Sequence, residues 1–212
     1  MDTRIHPTAL IEADVQLGPG CQVWDNVHIR RGARIGAQTT IGEKTYIAYD
    51  VRIGARVKIN AFVYLCYGVT LEDGVMVSAG TVFTNDRFPR ATTPDLRQLR
   101  PAEPDDDTPH TLVRAGCTIG AHCTIGPGLT LGRFAMIGMG AVVTRDVPDF
   151  CLALGNPARV AGFVCRCGQP LGRLADFPLG HVHHARCPRC ARRYTIEGTR
   201  VVERRAHRAE VA

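Results

Sequence analysis

The chain has 212 residues, a formal charge of +6, 6% aromatic residues, one tryptophan and 22 glycines. It holds no run of 18 apolar residues and no charged-then-apolar leader, so a spanning helix and a secretory signal are excluded as expectations; the expected location is the cytoplasm, with no membrane partner. The charge is uneven: residues 1–164 carry 16 Lys+Arg against 16 Asp+Glu, whereas residues 165–212 carry ten Arg against four acids, and without interleaved aromatic residues for base stacking a nucleic-acid partner is not expected.

The first predicted element is a repeat. From Ile5 an aliphatic residue returns every sixth position, through 11, 17, 23, 29, 35, 41, 47, 53, 59, 65, 71 and 77 to Phe83. The register resumes in phase at Val113 and runs through Ile119, Ile125, Leu131 and Ile137 to Val143. Nineteen of these twenty positions are Ile, Leu or Val. Four places after each of these nineteen stands a small or β-branched residue, Leu129 excepted. A period of six is neither helical nor a plain strand alternation; it is the mark of a β-solenoid. Each hexapeptide reads as a short strand and a turn, whose Gly, Ala, Asn or Asp after the aliphatic residue supports tight or left-handed backbone. Three hexapeptides per coil predict six to seven coils, a stack of roughly 30 Å at about 4.8 Å per layer.

Residues 84–112 interrupt the register with four prolines after position 92 and the acidic run Asp105-Asp106-Asp107. A long loop in so regular a scaffold points to function, and its two ends, next to the coils, are the better candidates. Residues 149–164 break the period again and are expected to cap the stack, since an open solenoid end exposes strand edges. Cys21, Cys117 and Cys123 occupy the small inward slot and read as core. The tail (165–212) holds Cys165-Arg-Cys167 and Cys187-Pro-Arg-Cys190, resembling a four-cysteine zinc ribbon in which structural zinc staples a module too small for its own core. His181, His183 and His184 lie between the pairs as substitute ligands. A helix is expected over 201–210.

Several segments resemble the left-handed β-helix acyltransferases, and within them the N-acetyltransferases acting on UDP-2-acetamido-3-amino-2,3-dideoxy-glucuronate. They are Ile5-His-Pro-Thr-Ala, Val23-Trp24, Gly32-Ala-Arg-Ile-Gly, Val69-Thr-Leu-Glu-Asp, Val82-Phe-Thr-Asn with Pro89-Arg90, Gly140-Ala-Val-Val and Asp146-Val-Pro. The resemblance implies an all-β fold: a left-handed parallel β-helix of hexapeptide repeats over 1–164, a long inserted loop and a small C-terminal zinc-ribbon-like module. It implies a homotrimer that transfers acetyl from acetyl-CoA to the amino group of a small-molecule nucleotide sugar. Asn85 and Arg90 match positions that contact the nucleotide sugar. Gly138, Gly140 and Ala141 match the strand along pantetheine, and Arg145, Gly155 and Arg159 lie where the family meets the nucleotide end of CoA. The chain departs from the family pattern at Asp25-Asn26, Glu43-Lys44, Phe62 and Cys66.

N-acetyl transfer needs a neutral amine, a carbonyl about 3–3.5 Å from it and a donor for the oxyanion. Asn85 and His110 are the catalytic candidates, His110 because histidine titrates near neutral pH at the loop's return. Two alternatives use the same scaffold. One is a γ-carbonic-anhydrase-like metalloenzyme, which would need His28, His110 and His122 to converge on an open zinc. The other is a non-catalytic trimeric binding protein.

Overall fold

In the computed structural model, which describes residues 2–101 and 103–204, the hexapeptides wind into a three-sided parallel solenoid. Each of the twenty register residues sits in its own short strand, from Arg4–Ile5 to Val142–Val143. Successive strands go to successive faces, and each pairs in parallel with the strand one coil on, as Ile5 does with Val23 and Ile47 with Leu65. We call the faces sheet A (beginning at Arg4–Ile5), sheet B (Leu10–Ile11) and sheet C (Gln16–Leu17). They hold ten, seven and six strands, so the stack has about seven coils.

The register residues from Val23 to Val143 are all buried, while Ile5, Ile11 and Leu17 of the open first coil are only partly covered. Each buried aliphatic side chain contributes about 1.5–3 kcal/mol. The small slot tolerates polar atoms because the next coil supplies an acceptor. Thr39, Thr45 and Thr81 donate to the carbonyls of Gly54, Asn60 and Gly120 at 3.0, 3.1 and 3.1 Å. The thiols of Cys21 and Cys123 reach Gly36 and Gly138 in the same way, at 3.2 and 3.1 Å.

The turns refine the sequence reading. The residue directly after the register position is not left-handed; where two glycines stack there the coils approach closely, and a Cβ at Gly36 would lie 2.5 Å from the backbone of Gly54 in the next coil. Left-handed backbone falls two residues later, at Lys44 (φ 56°), Phe62 (φ 58°) and His122 (φ 55°) as well as at glycines.

Past Val143 the chain adds Cys151–Leu154 in parallel to sheet A, then reverses through Arg159–Val164 and Pro170–Arg173 in antiparallel order. Sheet A therefore runs past residue 164 into the tail. A second sheet follows, antiparallel, made of His183–Arg186, Arg193–Glu197 and Arg200–Arg204. The helix expected over 201–210 is not formed in its described part. Val201–Arg204 is strand, with Val201 buried and Val202 exposed in the alternation that β-branched residues favour; 205–210 lie outside the described residues. Among the described residues no helix is long and apolar enough to cross a membrane.

The small sheet docks on the corner between sheets C and A, away from sheet B. Buried Tyr194 meets Phe150 with ring centroids 5.5 Å apart, and Phe150 stacks on Phe134 at 5.4 Å. The Arg166 guanidinium lies 4.7 Å over the Phe134 ring.

Candidate active site and four-cysteine cluster

Sheet B separates two clusters of residues singled out in the sequence. At its edge towards sheet A, the turn after Met136–Ile137 carries Gly138, Gly140 and Ala141. The Gly138 N–H donates to Ala153, and a side chain at Gly138 would collide with Leu154. Gly140, at φ 70°, faces open space. One layer up, the Gly155 carbonyl accepts from the Val142 N–H at 3.0 Å, and Arg159 opens the returning strand with its Nη1 on the Ala158 carbonyl. Gly138, Gly140, Gly155 and Arg159 thus form one open corner, while Ala141, next in the chain, is fully buried with its methyl in the core.

The opposite edge, towards sheet C, is where the long loop leaves and returns. Asn85 follows Thr84, whose N–H bonds Ile125 at 3.0 Å. Arg90 is exposed, with Nη1 donating to the Pro89 carbonyl. On the return, the Thr111 hydroxyl accepts from the Gly128 N–H at 3.1 Å, and His110 sits edge-on to Tyr67 with centroids 5.7 Å apart. His110, Tyr67, Thr70, Asp50 and Arg52 line a shallow polar pocket of about 270 Å³. Arg145 stands exposed at this edge, apart from the other five residues assigned to the cofactor. Within one chain the two clusters do not meet.

Sequence reading missed Asp50, Arg52, Tyr67 and Thr70. Their signal is the coil length: Arg52 and Thr70 pair directly, eighteen residues apart. The same spacing stacks Tyr46 on Tyr64, with centroids 5.2 Å apart and planes 7° from parallel. Nearby, Glu12 pairs with Arg30 at 2.6 Å and with His28 at 3.0 Å, and the Arg31 N–H lowers its pKa. Burial pushes the Cys66 thiol up to about 12, which removes it as a nucleophile.

Histidines 28, 110 and 122 do not converge on a metal position. Among the described residues, the four tail cysteines form the only group of three or more His, Cys, Asp or Glu ligand atoms close enough to share an ion. Their Sγ atoms all lie within 4.8 Å of one another, with Cys165–Cys190 at 3.4 Å and Cys167–Cys187 at 3.6 Å. A tetrahedral ion with four thiolates at about 2.3 Å sets sulfur–sulfur distances of about 3.8 Å, so the donor set fits zinc. Each pair sits on a tight turn closed by a left-handed residue, Gly168 after Cys167 and Ala191 after Cys190. Backbone N–H groups of Cys190 and Arg189 lower the Cys187 pKa to about 6, while burial raises that of Cys165 to about 12. The Tyr194 hydroxyl lies 3.1 Å from the Cys165 sulfur and accepts from the Arg166 N–H at 3.0 Å. His181, His183 and His184 stay outside the cluster; His183 Nε2 is 2.9 Å from the Pro178 carbonyl.

A three-sided parallel stack of hexapeptides with an inserted loop is the architecture of a known class. The family described as bacterial transferase hexapeptide (six repeats) matches residues 8–43, and the hexapeptide repeat of succinyl-transferase matches 33–85 and 115–145. Both matches fall on the parallel coils, which are similar to those of the hexapeptide-repeat transferases. Among individual relatives, a dTDP-3-amino-3,6-dideoxy-alpha-D-galactopyranose 3-N-acetyltransferase of Aneurinibacillus thermoaerophilus is 48% identical over 61 residues. That match covers 29% of this chain and only about a third (32%) of the relative. The fold is similar to that of a point mutant of AntD, an N-acyltransferase from Bacillus cereus in complex with dTDP and coenzyme A. There the TM-score is 0.53 at 19% identity, over 77% of this chain and 81% of the other. A Vibrio cholerae hexapeptide-repeat acetyltransferase complexed with acetyl coenzyme A gives 0.50 at 22% identity, over 62% and 70%.

Proposed function

We propose that the protein transfers acetyl from acetyl-CoA to the amino group of a nucleotide-linked aminosugar. The observation that carries this reading is the pair of clusters flanking sheet B: an open glycine corner on one edge and a polar pocket at the loop on the other. The 48% identity to an aminosugar N-acetyltransferase over 61 residues supports the substrate class. Sheet B supports a homotrimer. Its outward side chains include Leu10, Tyr64 and Val82, exposed by 56, 43 and 39%, whereas sheet C presents Arg34 and Arg52 at the same places. Three copies packed through sheet B would bring the glycine corner of one beside the loop edge of the next, which joins the two half-sites.

In this reading pantetheine runs along Gly138 and Gly140, whose lack of side chains lets a ligand approach the main chain, and past Ala141, whose methyl points into the core. Gly155 and Arg159 meet the nucleotide end of CoA, and Arg145 reaches it from the neighbouring copy. Arg90 and Asn85 hold the nucleotide sugar, Arg90 through phosphate or carboxylate oxygens. The amine attacks the thioester carbonyl, a C–N bond forms, the C–S bond breaks, and the thiolate leaves with the proton the amine gives up. His110 takes that proton from the amine and passes it on, with Asp50 and Arg52 in the same pocket. Zinc on Cys165, Cys167, Cys187 and Cys190 is structural, since four protein ligands leave no open position; a metal-hydration chemistry has no site among the described residues.

Thiol release from acetyl-CoA, screened with UDP- and dTDP-linked aminosugars, tests the reading. Turnover with at least one acceptor is expected. Binding of acetyl-CoA without turnover on any acceptor overturns the substrate class, and absence of acetyl-CoA binding favours a trimeric binding protein.

A further inference from the structure

The small C-terminal sheet carries a row of like charges that folding alone does not explain. Arg186 lies directly opposite Arg193 on the adjacent strand, and Arg193 directly opposite Arg204 on the next. All three are exposed. Like charges directly opposite one another across strands are destabilising. Among the described residues, none of the three has a carboxylate within ion-pair distance; Arg204 Nε donates to the Thr195 hydroxyl at 2.6 Å. Glu203, on the same sheet, is engaged elsewhere: it pairs with Arg166 at 3.7 Å and Arg192 at 3.3 Å. Strand alternation turns Tyr194 and Ile196 inward, leaving the arginines and Val202 on the outer face together with one carboxylate, Glu197, which lies opposite Arg200 at the far end of the row. Val182 and Leu179, exposed by 54 and 78%, precede the first strand of this sheet.

From this row we infer that the outer face of the ribbon docks on an anionic lipid bilayer surface. Guanidinium groups match lipid phosphates, and each basic side chain near an anionic leaflet adds to binding. Exposed aliphatic side chains beside a basic row suit the boundary between headgroups and acyl chains. A single-stranded nucleic acid would call for aromatic stacking platforms, and the outward positions of the three strands hold no Phe, Tyr or Trp and one histidine, His184. Residues 1–164 are charge-balanced, so the field of the molecule is concentrated at this end. Resting on the trimer reading above, three rows at the same end of the assembly would meet a planar surface together, and multivalency raises the avidity. Such a peripheral contact needs no spanning segment, and it departs from the absence of a membrane partner expected from the sequence.

The test is co-sedimentation of the full-length, zinc-loaded protein with vesicles of phosphatidylglycerol and phosphatidylcholine, and with phosphatidylcholine alone. Binding to the anionic vesicles only, weakening with salt, is expected. The R186Q/R193Q/R204Q variant should lose on the order of a hundredfold in partition, with thermal melting and acetyl transfer unchanged. Equal binding to both vesicle types, or vesicle binding unaltered in the variant, overturns the inference. So does an arginine-dependent preference for RNA over anionic vesicles. Because acetyl transfer is read separately, loss of docking with turnover intact leaves the enzymatic reading standing, and the converse leaves the docking standing.

Discussion

At the scale of single residues, the coil spacing decides which substitutions the chain tolerates. Gly36 packs with its α-carbon against the Gly54 backbone, so Gly36→Ala forces main chain against main chain. Overpacking of this kind costs about 1–3 kcal/mol. We expect the variant to melt several degrees lower in a calorimetric scan, whereas Gly74→Ala, where a Cβ meets nothing within 4 Å, should lose only the cost of left-handed backbone, about 1–2 kcal/mol. The threonines and cysteines of the small slot follow the same logic. Thr45 and Cys21 serve alike because each places one donor beneath a carbonyl of the next coil.

At the scale of elements, the tail sheet rests on its four cysteines and on Tyr194 wedged against Phe150. With zinc held as proposed, a chelator or Cys187→Ser should unfold this sheet and leave the parallel coils in place. Circular dichroism would then keep most of its β signal, while protease cleaves within 174–204. One cooperative loss of all β structure would contradict that division. The elements also mark what sequence could reveal. A fixed period of six exposes every coil strand, because one buried aliphatic residue per hexapeptide is enough to close each layer. The site is harder to read, because its parts are brought together by coil length and loop return. Tyr67 and His110 are forty-three positions apart yet touch edge to face, and nothing in either residue's neighbours announces the other. The helix expected near the end failed for a plainer reason: Val201 and Val202 alternate buried and exposed, as a strand requires.

At the scale of the whole molecule, sheet B stands out by its apolar and aromatic outer side chains, Leu10, Tyr64 and Val82 among them. Its outward ladder runs Leu10, His28, Tyr46, Tyr64 and Val82 through directly paired strands. Tyr64→Asp places a charge in the middle of that ladder. On the proposed trimer, light scattering of the variant should report a monomer of about 23.1 kDa where the parent reports three times that mass, and acetyl transfer should be lost with the assembly. A monomeric parent with full activity would sink the shared-site arrangement.

The inserted loop has a consequence for how the chain reaches this form. Nearly all partner strands along the stack are eighteen residues apart, a short closure that lets coils add one upon another like a zipper. Only the layer spanning the loop needs a much longer closure: Val82 must find Thr124, forty-two residues on. Loop closure there costs more entropy, so the coils before Phe83 and those after Thr111 should assemble as two units and join last at this seam. The pocket around His110 sits on that seam, so the half-site at the loop forms with the final step of folding.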